Sequence, residues 1–140
     1  MSTHAAVPKA RGIILLVEED QETQKLLITY LKRINYAVAL AETLTDAADQ
    51  LRRGLGPAVI ICDATVATAG GIEMVGRLRA AAPLAPVLLM TTGMLPLASG
   101  ADGFIAKPFQ LVDFGDRVLK MLHEHHTRTM AKAPPGAPLN

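Results

Sequence analysis

The feature that most constrains the fold is an alternation of short apolar runs with longer segments of helical spacing. Five runs are almost continuously apolar, which is typical of strands buried on both faces of a sheet. They occupy residues 13–17, 37–41, 58–62, 87–90 and 104–106. Because such strands need a covering layer on each side, a parallel sheet between helices is favoured.

The segments between these runs repeat apolar side chains at the three- and four-residue spacing of amphipathic helices. Gly54, Gly56 and Pro57 are expected to end the second helix, and Pro83 lies near the end of the third. Strands that alternate with helices are joined by right-handed crossovers. The predicted architecture is therefore a small doubly wound α/β domain. The four apolar stripes are Leu27, Tyr30, Leu31 and Ile34; Leu44, Ala47, Ala48, Leu51 and Leu55; Ile72, Val75 and Leu78; and Leu111, Phe114, Val118 and Leu122.

Length and composition agree with one domain. The chain has 140 residues, 50% of them hydrophobic, and a domain of this size can bury a core without a disulfide. We expect a flexible extension over residues 1–11, the domain over 12–126, and a disordered, proline-containing tail over 127–140. A single Cys62, no signal-peptide pattern and no apolar run of membrane-spanning length predict a cytoplasmic protein that is not embedded in a membrane. A net charge of +1 and 4% aromatic residues argue against a nucleic-acid partner.

Polar residues follow the predicted strands at their carboxyl ends, where open α/β sheets bind ligands. Carboxylates about 4 Å apart repel by about 4 kcal/mol at an effective dielectric constant of about 20, so such a group favours a bound cation. Mg²⁺ prefers carboxylates together with phosphoryl oxygens. Lysine and threonine could neutralise and hydrogen-bond the remaining phosphoryl oxygens. The strand-end residues, in chain order, are Glu18, Glu19, Asp20, Asp63, Thr91 and Lys107.

From about Gly12 to His123, the chain resembles the receiver domain of two-component response regulators. The resemblance is carried by four segments in the same order, at residues 14–20, 60–63, 86–91 and 100–109. It implies a flavodoxin-like, five-stranded parallel sheet with the strand order 2-1-3-4-5.

The resemblance also implies which residues form a phosphoacceptor site with Mg²⁺ as cofactor. Asp63 corresponds to the residue that accepts the phosphoryl group. Glu19 corresponds to a direct Mg²⁺ ligand, Glu18 to a ligand that acts mainly through water, and Asp63 and the backbone carbonyl of Thr65 to the remaining metal contacts.

Further family positions surround the implied phosphoacceptor. Lys107 would bridge the phosphoryl group and the acidic pocket, and Thr91 would turn toward that group. Phe104 resembles the aromatic switch residue, whose side chain moves inward after the residue at the Thr91 position has turned. Pro108 occupies a position that is often preceded by a cis peptide bond in this family.

Four departures from the family pattern stand out. Glu19 replaces the usual aspartate, which implies a looser Mg²⁺ geometry, and Thr92 is bulkier than the usual small residue. Ala67 replaces a common proline and is followed by glycines within residues 69–71, so we expect a mobile loop after the third strand. The stretch from the fourth to the fifth strand is several residues shorter than is usual. The helix between those strands, the fourth in the family, is therefore expected to be short or missing.

The predicted function is a stand-alone response regulator receiver. It would accept a phosphoryl group on Asp63 from a histidine kinase or a histidine phosphotransfer protein, and signal by protein–protein contact. It is not expected to be an enzyme beyond its own Mg²⁺-dependent phosphorylation and dephosphorylation. A degenerate receiver that serves as a phosphorylation-independent docking module stays an alternative, as does a phosphohydrolase suggested by residues 63–66. Homodimerisation is also left open.

Several of these residues also have structural interpretations. Asp20 could be the N-cap of the first helix, because carboxylates favour that position. Phe104 could simply belong to the core, and Cys62 should point to the opposite face of its strand from Asp63. His123 and His126 could share a metal ion, although cations near a helix C-terminus are common.

Overall fold

The computed structural model describes residues 10–69, 72–92 and 100–131. Strands and helices alternate through most of this range, as the apolar runs predict. In chain order the elements are β1 Ile13–Val17, α1 Gln21–Arg33, β2 Ala37–Ala41, α2 Leu44–Arg52, β3 Val59–Asp63, α3 Ala64–Ala69, α4 Ile72–Ala81, β4 Val87–Thr91, β5 Gly103–Ala106 and α5 Leu111–Ala131.

The five strands form one parallel sheet in the order β2-β1-β3-β4-β5, which confirms the predicted flavodoxin-like fold. The register aligns Val17 with both Ala41 and Cys62, and Thr91 with Ala106. The carboxyl ends of the strands therefore lie along one edge of the sheet. The polar residues that follow them are brought to that edge.

A hydrophobic core lies on each face of the sheet. Leu15 and Val17 pack with residues of α2, α3 and α4, whereas Ile14 and Leu16 pack with residues of α1 and α5. The central strands β1, β3 and β4 are almost fully buried, as continuous apolar runs predict. Strand β2 is only half-buried, because it is an edge strand of the sheet.

The expectation of a mobile loop after the third strand is wrong in part. Helix α3 begins directly after Asp63 and continues to Ala69, because residues 64–69 contain neither glycine nor proline. Helix α5 continues to Ala131, five residues beyond the expected domain boundary at residue 126, and the first proline of the tail is Pro134.

Some predictions concern residues outside the described range. These are the short or missing helix between β4 and β5, which depends on residues 93–99, and most of the two expected flexible termini. Within the described residues, no helix combines the length and the apolar character that crossing a membrane requires.

Candidate functional site

Lys107 lies between two carboxylates at the carboxyl edge of the sheet. Its Nζ donates hydrogen bonds to Glu18 Oε1 and Asp63 Oδ1, both at 2.9 Å. Glu18 follows β1, Asp63 ends β3, and Lys107 follows β5, where a cis peptide bond joins it to Pro108. Three of the predicted site residues therefore meet in space, although they are far apart in the sequence.

The charges of this cluster do not balance. Burial lowers the pKa of Lys107, but its hydrogen bonds to Asp63 and Glu18 raise it more, so the net pKa is above its ordinary value of 10.5. Lys107 is therefore a stable cation at neutral pH. One lysine between two carboxylates leaves a net negative charge when both are ionised, and a further cation would offset it.

Glu18 is fixed by contacts from its own loop and from α1. Its Oε2 accepts a hydrogen bond from the backbone N–H of Asp20 at 3.1 Å, and only 1% of the residue is exposed. The side-chain amide of Gln24 donates to the Glu18 carbonyl at 2.6 Å. Sequence reasoning missed this role of Gln24. The signal that could have revealed it is a polar residue on the buried face of α1.

Asp20 has the structural role that was one of its two interpretations. It is the N-cap of α1, and its carboxylate accepts hydrogen bonds from the Thr23 hydroxyl at 2.7 Å and from the Thr23 backbone N–H at 2.9 Å. These bonds lower the pKa of Asp20. The cap defines where α1 begins, and with it the course of the loop that carries Glu18 and Glu19.

Both oxygens of Asp63 have partners. Lys107 binds Oδ1, and the backbone N–H of Thr65, in the first turn of α3, donates to Oδ2 at 3.1 Å. Asp63 is only 6% exposed, so its carboxylate is almost fully buried. The immediate start of α3 thus contributes a backbone donor to the candidate phosphoacceptor.

The predicted metal ligands are only partly assembled. Glu19 is exposed, and within the described part of the chain no three acidic, histidine or cysteine side chains lie close enough to hold a metal ion. Glu18 and Asp63 nevertheless supply carboxylate oxygens within reach of one shared cation, Lys107. Oxygen donors of this kind fit Mg²⁺, whereas they would not suit a soft metal.

Thr91 and Phe104 lie on neighbouring strands beside this cluster. The Thr91 hydroxyl is buried and donates to the Ile105 carbonyl at 3.5 Å, a long hydrogen bond. The backbone N–H of Lys107 donates to the Thr91 carbonyl at 2.6 Å, which joins the ends of β4 and β5. Phe104 is partly buried against the core on the α2 and α4 side.

Cys62 is part of the core, as its position next to Asp63 suggests. Burial, together with the negative charges of Asp63 and Glu18, raises the pKa of its thiol to about 12. The thiol is therefore protonated at neutral pH, and its role is packing.

The fold and the strand-end cluster define a flavodoxin-like α/β domain with an acidic, lysine-containing site. A family model for the response regulator receiver domain matches residues 14–119. The chain belongs to this family of two-component signalling domains, which are signalling proteins rather than classical enzymes.

Known proteins agree with this assignment. The transcriptional regulatory protein CreB of Escherichia coli is 31% identical over 80% of the chain. The chain spans about half or less of the length of the curated relatives it matches first.

Two solved structures show the same fold. A response regulator from Chloroflexus aurantiacus aligns with a TM-score of 0.69 and 26% identity, over 79% of this chain and 97% of that one. The receiver domain of the sensor histidine kinase PA1611 from Pseudomonas aeruginosa aligns with a TM-score of 0.71 and 22% identity, over 79% and 97%. That structure is described with a magnesium ion coordinated in its active-site cleft.

Proposed function

We propose that Asp63 accepts a phosphoryl group from a histidine kinase or a histidine phosphotransfer protein. The observation that carries this proposal is the contact of Lys107 Nζ with both Asp63 Oδ1 and Glu18 Oε1 at 2.9 Å. A carboxylate at a strand end, next to a cation and near the surface, can receive an anionic group that would otherwise be repelled.

The transfer requires little covalent work from the protein. A carboxylate oxygen of Asp63 forms a bond to phosphorus, the bond from phosphorus to the donor histidine nitrogen breaks, and that nitrogen keeps the electron pair. Lys107 stays protonated, because its pKa is raised, and can turn a hydrogen bond toward a phosphoryl oxygen. Its charge then offsets the charge that arrives with the phosphoryl group.

For Mg²⁺ we propose Glu18, Glu19, Asp63 and the backbone carbonyl of Thr65 as the binding set. When bound, the ion would supply positive charge to the transferring oxygens. Glu18 already binds Lys107 and the N–H of Asp20, which supports a ligand that acts through water. Glu19 is exposed and lies one residue further along the same loop. Its side chain is longer than that of the aspartate usual at this position, so it can reach an ion at the surface.

Thr91 and Phe104 are proposed as the switch that reports phosphorylation. The Thr91 hydroxyl has one long hydrogen bond of 3.5 Å, to the Ile105 carbonyl, so a turn toward a phosphoryl oxygen would exchange a weak bond for a charge-assisted one. Phe104 is only partly buried, and it could move inward when Thr91 leaves its position.

We also propose that the phosphorylated domain signals by protein–protein contact in the cytoplasm. The balanced net charge of +1 supports a protein partner over a nucleic acid. Val112 and Leu119 of α5 are exposed apolar residues that could contribute to such a contact, including one between two copies of the chain.

Labelling with acetyl phosphate tests the phosphoacceptor. With Mg²⁺ present, intact-mass spectrometry should show the gain of one phosphoryl group, and Asp63→Asn should abolish it. Asp116→Asn, which changes an exposed carboxylate on α5, is the matched control and should be labelled like the wild type. A phosphoryl gain that persists in Asp63→Asn would refute the assignment.

A degenerate receiver that serves as a docking module is the second candidate. It is favoured by the exposed position of Glu19 and by Lys107, which already forms ion pairs with both buried carboxylates. A titration with Mg²⁺ followed by NMR separates the two candidates. Shifts of the Asp63 and Lys107 resonances at millimolar Mg²⁺ support phosphotransfer, and unchanged resonances support the docking module.

A further inference from the structure

A second cleft lies at the opposite edge of the sheet from Asp63, where the strands begin. Its volume is about 450 Å³. Arg11, Tyr36 and Ala58, which line it, precede the neighbouring strands β1, β2 and β3, and the C-terminal half of α5 forms the other wall. The proposed phosphotransfer does not use this cleft.

The strand side of the cleft is built on backbone hydrogen bonds. The N–H of Arg11 donates to the Asn35 carbonyl at 2.8 Å, and the N–H of Ala37 donates to the Gly12 carbonyl at 2.9 Å. The Tyr36 ring lies close to Gly12, where an added Cβ would be 3.6 Å from the ring. This wall is therefore defined by the sheet and does not depend on a ligand for its position.

The lining combines one permanent cation and several hydrogen-bond donors with an apolar surface. Arg11 carries a permanent charge, and the imidazoles of His123 and His126 can donate hydrogen bonds. Leu119 and Leu122 contribute the apolar surface, and Leu119 is 39% exposed. Among the described residues that line the cleft, none carries a carboxylate.

We propose that this cleft binds a small organic anion, with an aromatic or aliphatic body and one carboxylate or phosphate group. The anionic group would pair with Arg11 and the histidines, and the apolar body would pack on Tyr36, Leu119 and Leu122. The volume agrees with that of small-molecule sites, about 300–1,000 Å³. A metal ion fits less well, since no three metal-binding side chains of the described residues lie together.

Titration of the full chain, followed by amide NMR, tests the proposal with three probes: benzoate, phenyl phosphate and inorganic phosphate. Benzoate or phenyl phosphate should cause saturable shifts at Tyr36, Ala58 and Leu122. Arg11→Gln should weaken that binding by about tenfold, the effect of losing one charge-assisted hydrogen bond. Arg117→Gln, an exposed arginine of α5 that does not line the cleft, is the matched control and should bind like the wild type.

The comparison of the two organic probes identifies the preferred anionic group. The proposal is overturned if neither probe gives a saturable shift at the cleft, or if Arg11→Gln binds the probes with the same affinity as the wild type. Inorganic phosphate that binds as tightly as phenyl phosphate would refute the role of the apolar surface. Shifts confined to Asp63 and Lys107 would place the anion at the phosphoacceptor instead and would also refute the proposal. The outcome is separable from phosphotransfer, because Asp63 ends β3 at the opposite edge of the sheet and does not line the cleft.

Discussion

Replacing Lys107 with methionine should destabilise the domain by about 2–3 kcal/mol at neutral pH. Glu18 Oε1 and Asp63 Oδ1 each lie 2.9 Å from Lys107 Nζ, so these two oxygens are at most twice that distance apart. Two unit charges at this separation repel by about 3 kcal/mol at an effective dielectric constant of about 20. Methionine keeps most of the apolar stem, so the change isolates the loss of the charge.

Urea unfolding at pH 7 in the absence of divalent cations measures this loss. Lys120→Met, an exposed lysine of α5, is the matched control and should change the free energy of unfolding by less than about 0.5 kcal/mol. The double variant Lys107→Met/Asp63→Asn removes one of the two like charges and should recover most of the lost stability.

Two results would contradict the electrostatic argument. One is a Lys107→Met variant as stable as the wild type. The other is a double variant whose loss equals the sum of the two single losses, since additivity would mean that Lys107 and Asp63 are not coupled.

Three further predictions concern Gly115, Lys107 and Cys62. Gly115→Ala should lower the melting temperature and reduce the free energy of unfolding by about 1–3 kcal/mol, because the new Cβ would lie 1.8 Å from the Tyr30 hydroxyl. In the control Gly76→Ala the new Cβ meets nothing within 4 Å, so this variant should be as stable as the wild type or more stable. Because the folded-state pKa of Lys107 is raised, its contribution to stability is complete below its ordinary value of 10.5 and is lost as the pH rises through the folded value. Thermal melts in alkaline buffer should show this loss in the wild type and not in Lys107→Met. Cys62, whose thiol pKa is about 12, should react with Ellman's reagent at pH 8 only after denaturant is added.

The elements of the fold could be predicted largely from local sequence. The bounds of β1 and β2 agree with the predicted runs, β4 and β5 are each one residue longer at one end, and β3 is shifted by one residue. This success has a physical reason, because a buried strand and an amphipathic helix each leave a periodic pattern in neighbouring residues. Helix α3 was missed, since its six residues are too short to show such a pattern.

The candidate site was predicted in composition but not in arrangement. Glu18, Asp63 and Lys107 were predicted as site residues because they follow the predicted strands, and the resemblance to receiver domains implied their roles. That Glu18 is buried in the cluster while Glu19 is exposed could not be predicted, because the two glutamates are adjacent and chemically alike. Their difference arises from the loop between β1 and α1, whose course depends on the Asp20 cap and on Gln24.

By itself, then, the sequence determined the strands, most of the helices, a parallel sheet and the residues at its carboxyl edge. Only the tertiary structure decided which of those residues touch. Lys107 is 89 residues from Glu18 and 44 from Asp63, and their contact depends on how the four connections between the five strands are arranged. The same packing forms the cleft beside Arg11, where strand beginnings meet the C-terminal half of α5. Contacts of this range leave no periodic signal in the chain, since they depend on the summed geometry of every element between them.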